Sequence, residues 1–242
     1  MSGHNKWSQI KRKKAINDNR RGANISKHLA AIQAAVTSGG SGDPAGNLAL
    51  KNTIAAAKTD GVPSDNVNRA IERAVGSGEG GGLEEAVYEG YAPAGAALLV
   101  YTLSDNRNRT AAEVRHTFVK HGGNMSGGVA WMFRRRGLIV LPTDSEAAQE
   151  LTIEVGAEDF EASDGVLVVY TAFEDLYSIA EAFRAKGFEP ETAEFASVAD
   201  TMLDLNPDDA AKVARIVEAL EDLDDVQKVF TNANLDEAQV NA

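Results

Sequence analysis

The sequence predicts an α+β protein: an amino-terminal helical bundle followed by two small sheets, each with helices packed on one face. Three observations carry this prediction. Apolar residues recur at helical spacing through residues 25–75, five Gly in seven residues break the chain at 76–82, and beyond the break short apolar runs alternate with capped amphipathic segments. A chain of 242 residues also exceeds one ordinary core, so two or three domains are expected.

The elements follow in order. Ile25, Leu29, Ile32 and Val36 form the stripe of a first helix, which the Gly39-Gly40-Ser41-Gly42 loop ends. Asp43-Pro44 predicts the start of a second helix, a capping residue followed by Pro at the first helical position, with Leu50, Ile54 and Ala57 as its apolar face. Gly61-Val62-Pro63-Ser64 breaks it, and Val67, Ile71 and Val75 mark a third. The run Gly76–Gly82 reads as a linker. No Lys-Ser/Thr follows it and no strand precedes it, so it is not a phosphate-binding loop.

After the linker, 86–91 and 95–103 read as strands. Thr110-Ala111-Ala112-Glu113 matches a capping box, which predicts a helix over about 110–121, stopped by Gly122-Gly123. Val129–Phe133 and Leu138–Leu141 read as two strands around a basic turn, Arg134-Arg135-Arg136-Gly137. A second capping box, Thr143 to Glu146, opens a helix carrying Ala147, Leu151 and Val155. A strand at 166–170, a helix with Leu176, Ile179 and Phe183, and a strand at 191–198 follow. Asn206-Pro207-Asp208-Asp209 combines a cap, Pro and two acids at the positive end of a helix dipole, and Val226–Thr231 closes as a strand.

Composition narrows the function classes. The chain has no Cys, which excludes disulfides, thiol nucleophiles and Cys-zinc sites. No window approaches the 18 or more apolar residues of a membrane span, and the opening residues 1–14 hold no apolar signal core, so no membrane association and a cytoplasmic location are expected. The net charge of −12 is unevenly spread. Residues 1–75 hold 12 Lys+Arg and 5 Asp+Glu, residues 76–136 hold 7 and 6, and residues 137–242 hold 5 and 25. A basic head and a strongly acidic rear suggest an electrostatic binding face at one end.

Three cationic groups are candidates for that face. Lys6, Trp7, Lys11, Arg12, Lys13, Lys14, Arg20 and Arg21 place eight cationic or stackable side chains in sixteen residues, suited to phosphates and an unpaired base. This arm holds few apolar residues, so it reads as helical or extended and mobile without a partner. Arg107 and Arg109 lie between a strand and a helix amino terminus, whose free N–H groups favour anions, and Arg115 and Lys120 extend the charge along that helix. Arg134, Arg135 and Arg136 form the third group.

Catalytic and metal signals are weak. His4, His28, His116 and His121 include no pair at i, i+4 spacing, and no G-x-S-x-G elbow is present. Glu194, Asp200, Asp204, Asp208 and Asp209 could pair to hold a divalent metal for phosphodiester cleavage. Among 25 acids in 106 residues such proximity is expected by chance. The sequence therefore assigns no catalytic residue, no metal site and no cofactor.

Several longer words bear a resemblance. Gly3-His4-Asn5-Lys6-Trp7, Lys13-Lys14-Ala15, Arg20-Arg21-Gly22, Tyr88-Glu89-Gly90-Tyr91, Asp105–Ala111, Glu113-Val114-Arg115, Lys120–Asn124 and Asp224–Val229 resemble the YebC family over essentially the whole chain. The chain departs from the usual family pattern at residues 23–29, at Met125-Ser126-Gly127-Gly128 and at Arg134, where family members often carry Glu.

The resemblance implies a helical bundle and two ferredoxin-like α+β domains, the third inserted in the second. On this basis the domains are 1–75, 83–136 plus 205–242, and the inserted 137–204. It also implies a nucleic-acid-binding regulator of gene expression, the family being described as cytoplasmic DNA-binding transcriptional regulators. Other members act on translation, in mitochondria or on ribosomes stalled at proline-rich stretches. A ribosome-associated translation factor is therefore the alternative, and a metal-dependent, structure-specific phosphodiesterase the alternative of another class. Structured RNA, DNA or the ribosome are the partners these readings imply; the sequence leaves the oligomeric state open.

Overall fold

The structure, a computed structural model, describes residues 21–76 and 82–235, with side chains from Ile25 onward. The described chain divides into two compact units, residues 134–198 and the residues on either side of them.

Three helices open the larger unit: α1 (Arg21–Gly39), α2 (Leu48–Thr59) and α3 (Ser64–Gly76). Their small apolar faces meet in one core of Ile32, Val36, Leu50, Ala57, Val67 and Ala70, with Ile25, Leu29 and Ile54 at its margin. The predicted stripes thus fall inside, except that Val75 is exposed near the end of α3. α2 starts later than Asp43-Pro44 predicts. Asp43 instead builds a turn, taking the Gly46 N–H on its carbonyl (3.1 Å) and the Ala45 N–H on its side chain (2.9 Å).

The cap of α2 is Asn47, which is only 5% exposed. Its Oδ1 accepts from the Leu50 N–H (3.0 Å), and its Nδ2 donates to the carbonyls of Ala35 (2.8 Å) and Ser41 (3.0 Å). One side chain therefore starts α2, ties it to the end of α1 and holds down the glycine loop. Asn47→Ala loses a cap and leaves two carbonyls short of a donor. An expected loss of about 2–3 kcal/mol follows, read as a lower urea midpoint of the bundle; an unchanged midpoint would refute the role. Lys27 Nζ, from α1, also donates to the backbone carbonyl of Glu221 in a later helix of the same unit.

Beyond the linker, β1 (Glu84–Tyr91) and β2 (Ala97–Ser104) pair antiparallel around a tight turn in which Ala94 and Gly95 take positive φ. α4 (Arg107–Lys120) follows, and the chain returns to this unit with α7 (Pro207–Glu221) and β7 (Val226–Thr231). β7 pairs antiparallel with β2, giving the order β1-β2-β7. Leu98 and Val100 of β2 pack against Val114 and Phe118 of α4 and Val213, Ile216 and Leu220 of α7, so both helices lie on one face.

At the outer edge Tyr91 and Asn124 exchange backbone hydrogen bonds of 2.8 Å each. Gly90 permits this approach, since a Cβ there would lie 2.4 Å from the Asn124 carbonyl oxygen and 2.7 Å from the Phe118 ring.

The 134–198 unit, together with the first residue of its leading strand and the last residue of its closing one, runs β3 (Phe133–Leu141), α5 (Glu146–Glu154), β4 (Asp159–Ser163), β5 (Val166–Thr171), α6 (Leu176–Ala185) and β6 (Thr192–Ala199). The sheet order β4-β5-β3-β6 with β-α-β-β-α-β connectivity is ferredoxin-like. Ile139, Leu141, Leu167 and Val169 face Leu151, Ile179, Ala180 and Phe183 of the two helices.

Three expectations are corrected here. Arg134, Arg135 and Arg136 do not form a turn: they lie within the nine-residue strand β3, and Val129–Phe133 is not a full strand but leads through a 3₁₀ turn at Ala130–Met132. Thr143 does not cap α5; Ser145 stands at the cap position, and Thr143 Oγ1 only accepts the Ser145 N–H (3.2 Å). β4, with the mixed sequence Asp-Phe-Glu-Ala-Ser, escaped prediction because it is an edge strand with little apolar content.

Candidate nucleic-acid interface

α4 begins earlier than its apparent capping box. Asn106 is the cap, its Oδ1 accepting the Arg109 N–H (3.1 Å), so Arg107 and Arg109 fall in the first helical turn. Thr110, the predicted cap, is instead 2% exposed and faces inward.

Its partner is Asp225, from the turn before β7. Thr110 Oγ1 lies 2.6 Å and Ser104 Oγ 3.0 Å from Asp225 Oδ2, and both hydroxyls can donate to it. Arg109 Nη2 donates to the same carboxylate at 2.8 and 3.1 Å, and to Asp105 at 3.0 Å. The Leu103 N–H donates to the Asp225 carbonyl (2.9 Å). Burial alone would raise the Asp225 carboxyl, but hydrogen bonds from Thr110, Arg109 and Ser104, with the Arg109 charge, hold it below the usual aspartate value.

This cluster separates two arginines that the sequence treats alike. Arg109 is held by two carboxylates and fastens the carboxy-terminal turn to the start of α4. Arg107 is exposed and forms no ion pair among the described residues; only its backbone carbonyl is used, accepting from the Tyr88 hydroxyl (3.2 Å). Arg115 and Lys120 are likewise exposed and make no ion pair among the described residues. With Val114 and Phe118 inward, helical spacing puts Arg115 and Lys120 on the two borders of the solvent face, with His116 and Val119 between them.

The other cationic candidates fall differently. Lys6, Trp7, Lys11, Arg12, Lys13, Lys14 and Arg20 lie outside the described residues, as do the side chain of Arg21 and the predicted mobility of this arm. In β3, Arg135 lays its guanidinium 4.1 Å from the Phe173 ring centre and 5.7 Å from that of Phe195. Arg136 pairs with Glu158 at 3.3 Å. The strand pleat sends Arg135 to one face of the sheet and Arg134 and Arg136 to the other, so the three do not act as one patch.

The acidic candidates do not converge. Asp209 pairs with Lys212 (2.7 Å) and accepts from Asn206 Nδ2 (2.9 Å), and these contacts lower its pKa. Asp204 accepts from Asn234 (3.0 Å). Among the described residues no group of three or more His, Asp or Glu is placed to hold a metal ion. No described helix is long and apolar enough to cross a membrane.

One feature of this unit carries no distinct signal in the sequence. Glu89, in β1, accepts the N–H groups of Val129 (2.5 Å) and Ala130 (2.7 Å), pinning the start of the 3₁₀ turn. Trp131 stands out of that turn with 77% of its surface exposed. Its apolar neighbours in the chain give it the pattern of a buried strand residue.

An amino-terminal helical bundle and a three-stranded α+β domain interrupted by a ferredoxin-like module define a distinctive class of α+β protein, here with exposed cations on one helix that no described acid holds. Family models place it more closely. One described as the TACO1/YebC second and third domain matches residues 83–233, and one described as the TACO1/YebC protein N-terminal domain matches residues 5–77. The chain belongs to the TACO1/YebC family.

Two relatives are each named a probable transcriptional regulatory protein. That of Deinococcus radiodurans is 55% identical over 240 residues, covering 98% of both chains. That of Thermus thermophilus is 55% identical over 245 aligned residues, covering all of both. A crystal structure of a conserved hypothetical protein from Aquifex aeolicus, 41% identical, matches with a TM-score of 0.81 over 90% of this chain and 91% of that one.

Proposed function

We propose that this chain is a nucleic-acid-binding regulator of gene expression, in which the basic arm supplies most of the affinity and α4 sets the position on the phosphates. The observation that carries the reading is the set Arg107, Arg115 and Lys120: exposed cations without a counter-acid among the described residues, in a protein with 36 acidic residues against 24 basic ones. Cations kept free amid such an excess of acid are suited to an external polyanion. The names of the relatives support regulation of transcription.

Phosphate contacts orient a protein but carry no sequence information. The solvent face of α4 presents Asn108, Ala112, Arg115, His116, Val119 and Lys120, with a single amide, Asn108 in the first turn, able to pair with a base edge. That surface favours recognition by shape, whether of structured RNA or of unusual DNA, and gives weight to the reading as a ribosome-associated translation factor.

Two measurements test the proposal. Contact of the basic arm with about six phosphates contributes roughly −4 to −5 to the log–log salt slope, and an affinity flat from 50 to 300 mM salt would remove the electrostatic account. Crosslinking in cells, followed by sequencing of the recovered nucleic acid, separates the two readings. Enrichment of promoter DNA supports transcriptional control, ribosomal RNA supports translation, and recovery of neither refutes both.

A further inference from the structure

We propose that Trp131 is a stacking platform for an unpaired nucleobase. The inference rests on the nucleic-acid reading above and adds to it a second kind of contact, stacking, at a residue three positions before the Arg134-Arg135-Arg136 group.

The turn beneath Trp131 is fixed at several points. Val129 is fully buried against Ala97 and Leu99, on the sheet face opposite α4 and α7, and Met132 and Phe133 are half-buried in the same cluster. The Glu89 carboxylate holds the Val129 and Ala130 N–H groups. The Met132 N–H closes the turn on the Val129 carbonyl (3.0 Å), and the Met132 carbonyl accepts from the Asp200 N–H (3.0 Å). Of the five residues Val129–Phe133, Val129, Met132 and Phe133 are drawn inward, Ala130 is small and exposed, and the indole is the one large side chain that projects. A side chain of this size left 77% exposed on so constrained a base is a placement rather than a frayed end.

The surroundings suit a base better than a protein. A tryptophan at the centre of a protein interface sits within a ring of packed neighbours that excludes water. Here the adjoining positions are Gly127, Gly128 and Ala130, all exposed, which offer no such ring. A single flat ring face open to water is what stacking on one base requires, and such stacking tolerates any base because every base has a π-face. The rigid turn reduces the ordering cost of binding, since the ring need not be gathered from a flexible loop.

The full-length chain is titrated with a labelled single-stranded oligouridylate and, separately, with a blunt RNA duplex. Trp131→Ala is expected to weaken single-strand binding by about 5- to 100-fold with the salt slope unchanged, and to alter duplex binding by no more than about twofold. Trp131→Phe should recover most of the loss. In a Trp7→Phe background Trp131 is the sole indole, and its emission should fall as the single strand saturates. Equal affinity of Trp131→Ala and the unaltered chain for the single strand, or an equal loss on strand and duplex, overturns the stacking role. Failure of the unaltered chain to bind either RNA would instead strike the RNA-binding reading itself and, with it, this inference.

Discussion

Asp225→Ala is expected to destabilise the larger unit by about 2–3 kcal/mol, with a matching fall in its urea midpoint. The carboxylate is the shared acceptor of Ser104, Thr110 and Arg109. Ser104 and Thr110 are only 3% and 2% exposed, so their hydroxyls cannot turn to bulk water when the acceptor is removed. Arg109 is half exposed and recovers hydration, so its share of the loss is small. Asp225→Asn preserves the shape but not the charge and should fall between the two. Because the folded-state carboxyl lies below the ordinary aspartate value, its contribution is complete above about pH 4 and is lost as pH falls through the lower folded value. The Asp225→Asn variant should therefore converge on the unaltered protein in acid. A stability gap that stays constant from pH 7 to pH 2.5 would show that the charge plays no part.

The same cluster shows why some of the molecule was legible in its sequence and some was not. The stripes Ile25–Val36 and Val213–Leu220, the Asn206-Pro207 start and the closing strand Val226–Thr231 depend on local spacing and local caps, and they form as that spacing predicts. Asn206 indeed caps α7, accepting the Asp209 N–H at 2.9 Å. Thr110 and Thr143 show the limit of such reasoning. Each has Glu three residues on, which satisfies the capping pattern, yet Asn106 and Ser145 occupy the cap positions. For Thr110 the deciding partner is Asp225, which no local window contains. Arg107 and Arg109 are two residues apart; Asp105, four residues before Arg109, is a local partner that marks it out, and Asp225, far along the chain, completes its hold.

Trp131 was hidden for a related reason. Val129-Ala130-Trp131-Met132-Phe133 has the composition of a buried strand, and the partners that hold it as a turn with the indole outward, the carboxylate of Glu89 forty residues earlier and the Asp200 N–H far later, lie outside any local window. The family resemblance was legible as a whole because its words are long. Several of those words prove to be spent on the fold: Gly90 admits Asn124, and the Asp105–Ala111 word closes on the Asp224–Val229 word through Asp225. A word shared with a family is therefore not by itself a list of ligand contacts, and the cations must be assigned one at a time by whether an acid already holds them.

Replacing Arg107, Arg115 and Lys120 together with Ala should weaken nucleic-acid binding on the order of 100- to 1,000-fold near 0.1 M salt and reduce the magnitude of the log–log salt slope by roughly 2–3. Each phosphate contact on duplex DNA releases about 0.9 counterion, so three contacts contribute about 2.7 logarithmic units at that salt. Their side chains are exposed and form no ion pair among the described residues, so the unfolding midpoint should stay close to that of the unaltered chain. Arg109→Ala should behave in the opposite way. Its guanidinium is already neutralised by Asp225 and Asp105, so its loss should lower the midpoint modestly and leave the salt slope unaltered. A slope reduced by Arg109→Ala but not by the triple variant would reverse the division drawn here: the ion-paired arginine would then open to reach phosphate, and the three exposed cations would be only a solvated face. The contrast between the two variants, measured on the same nucleic acid across the same salt range, decides between these arrangements whatever the physiological target is.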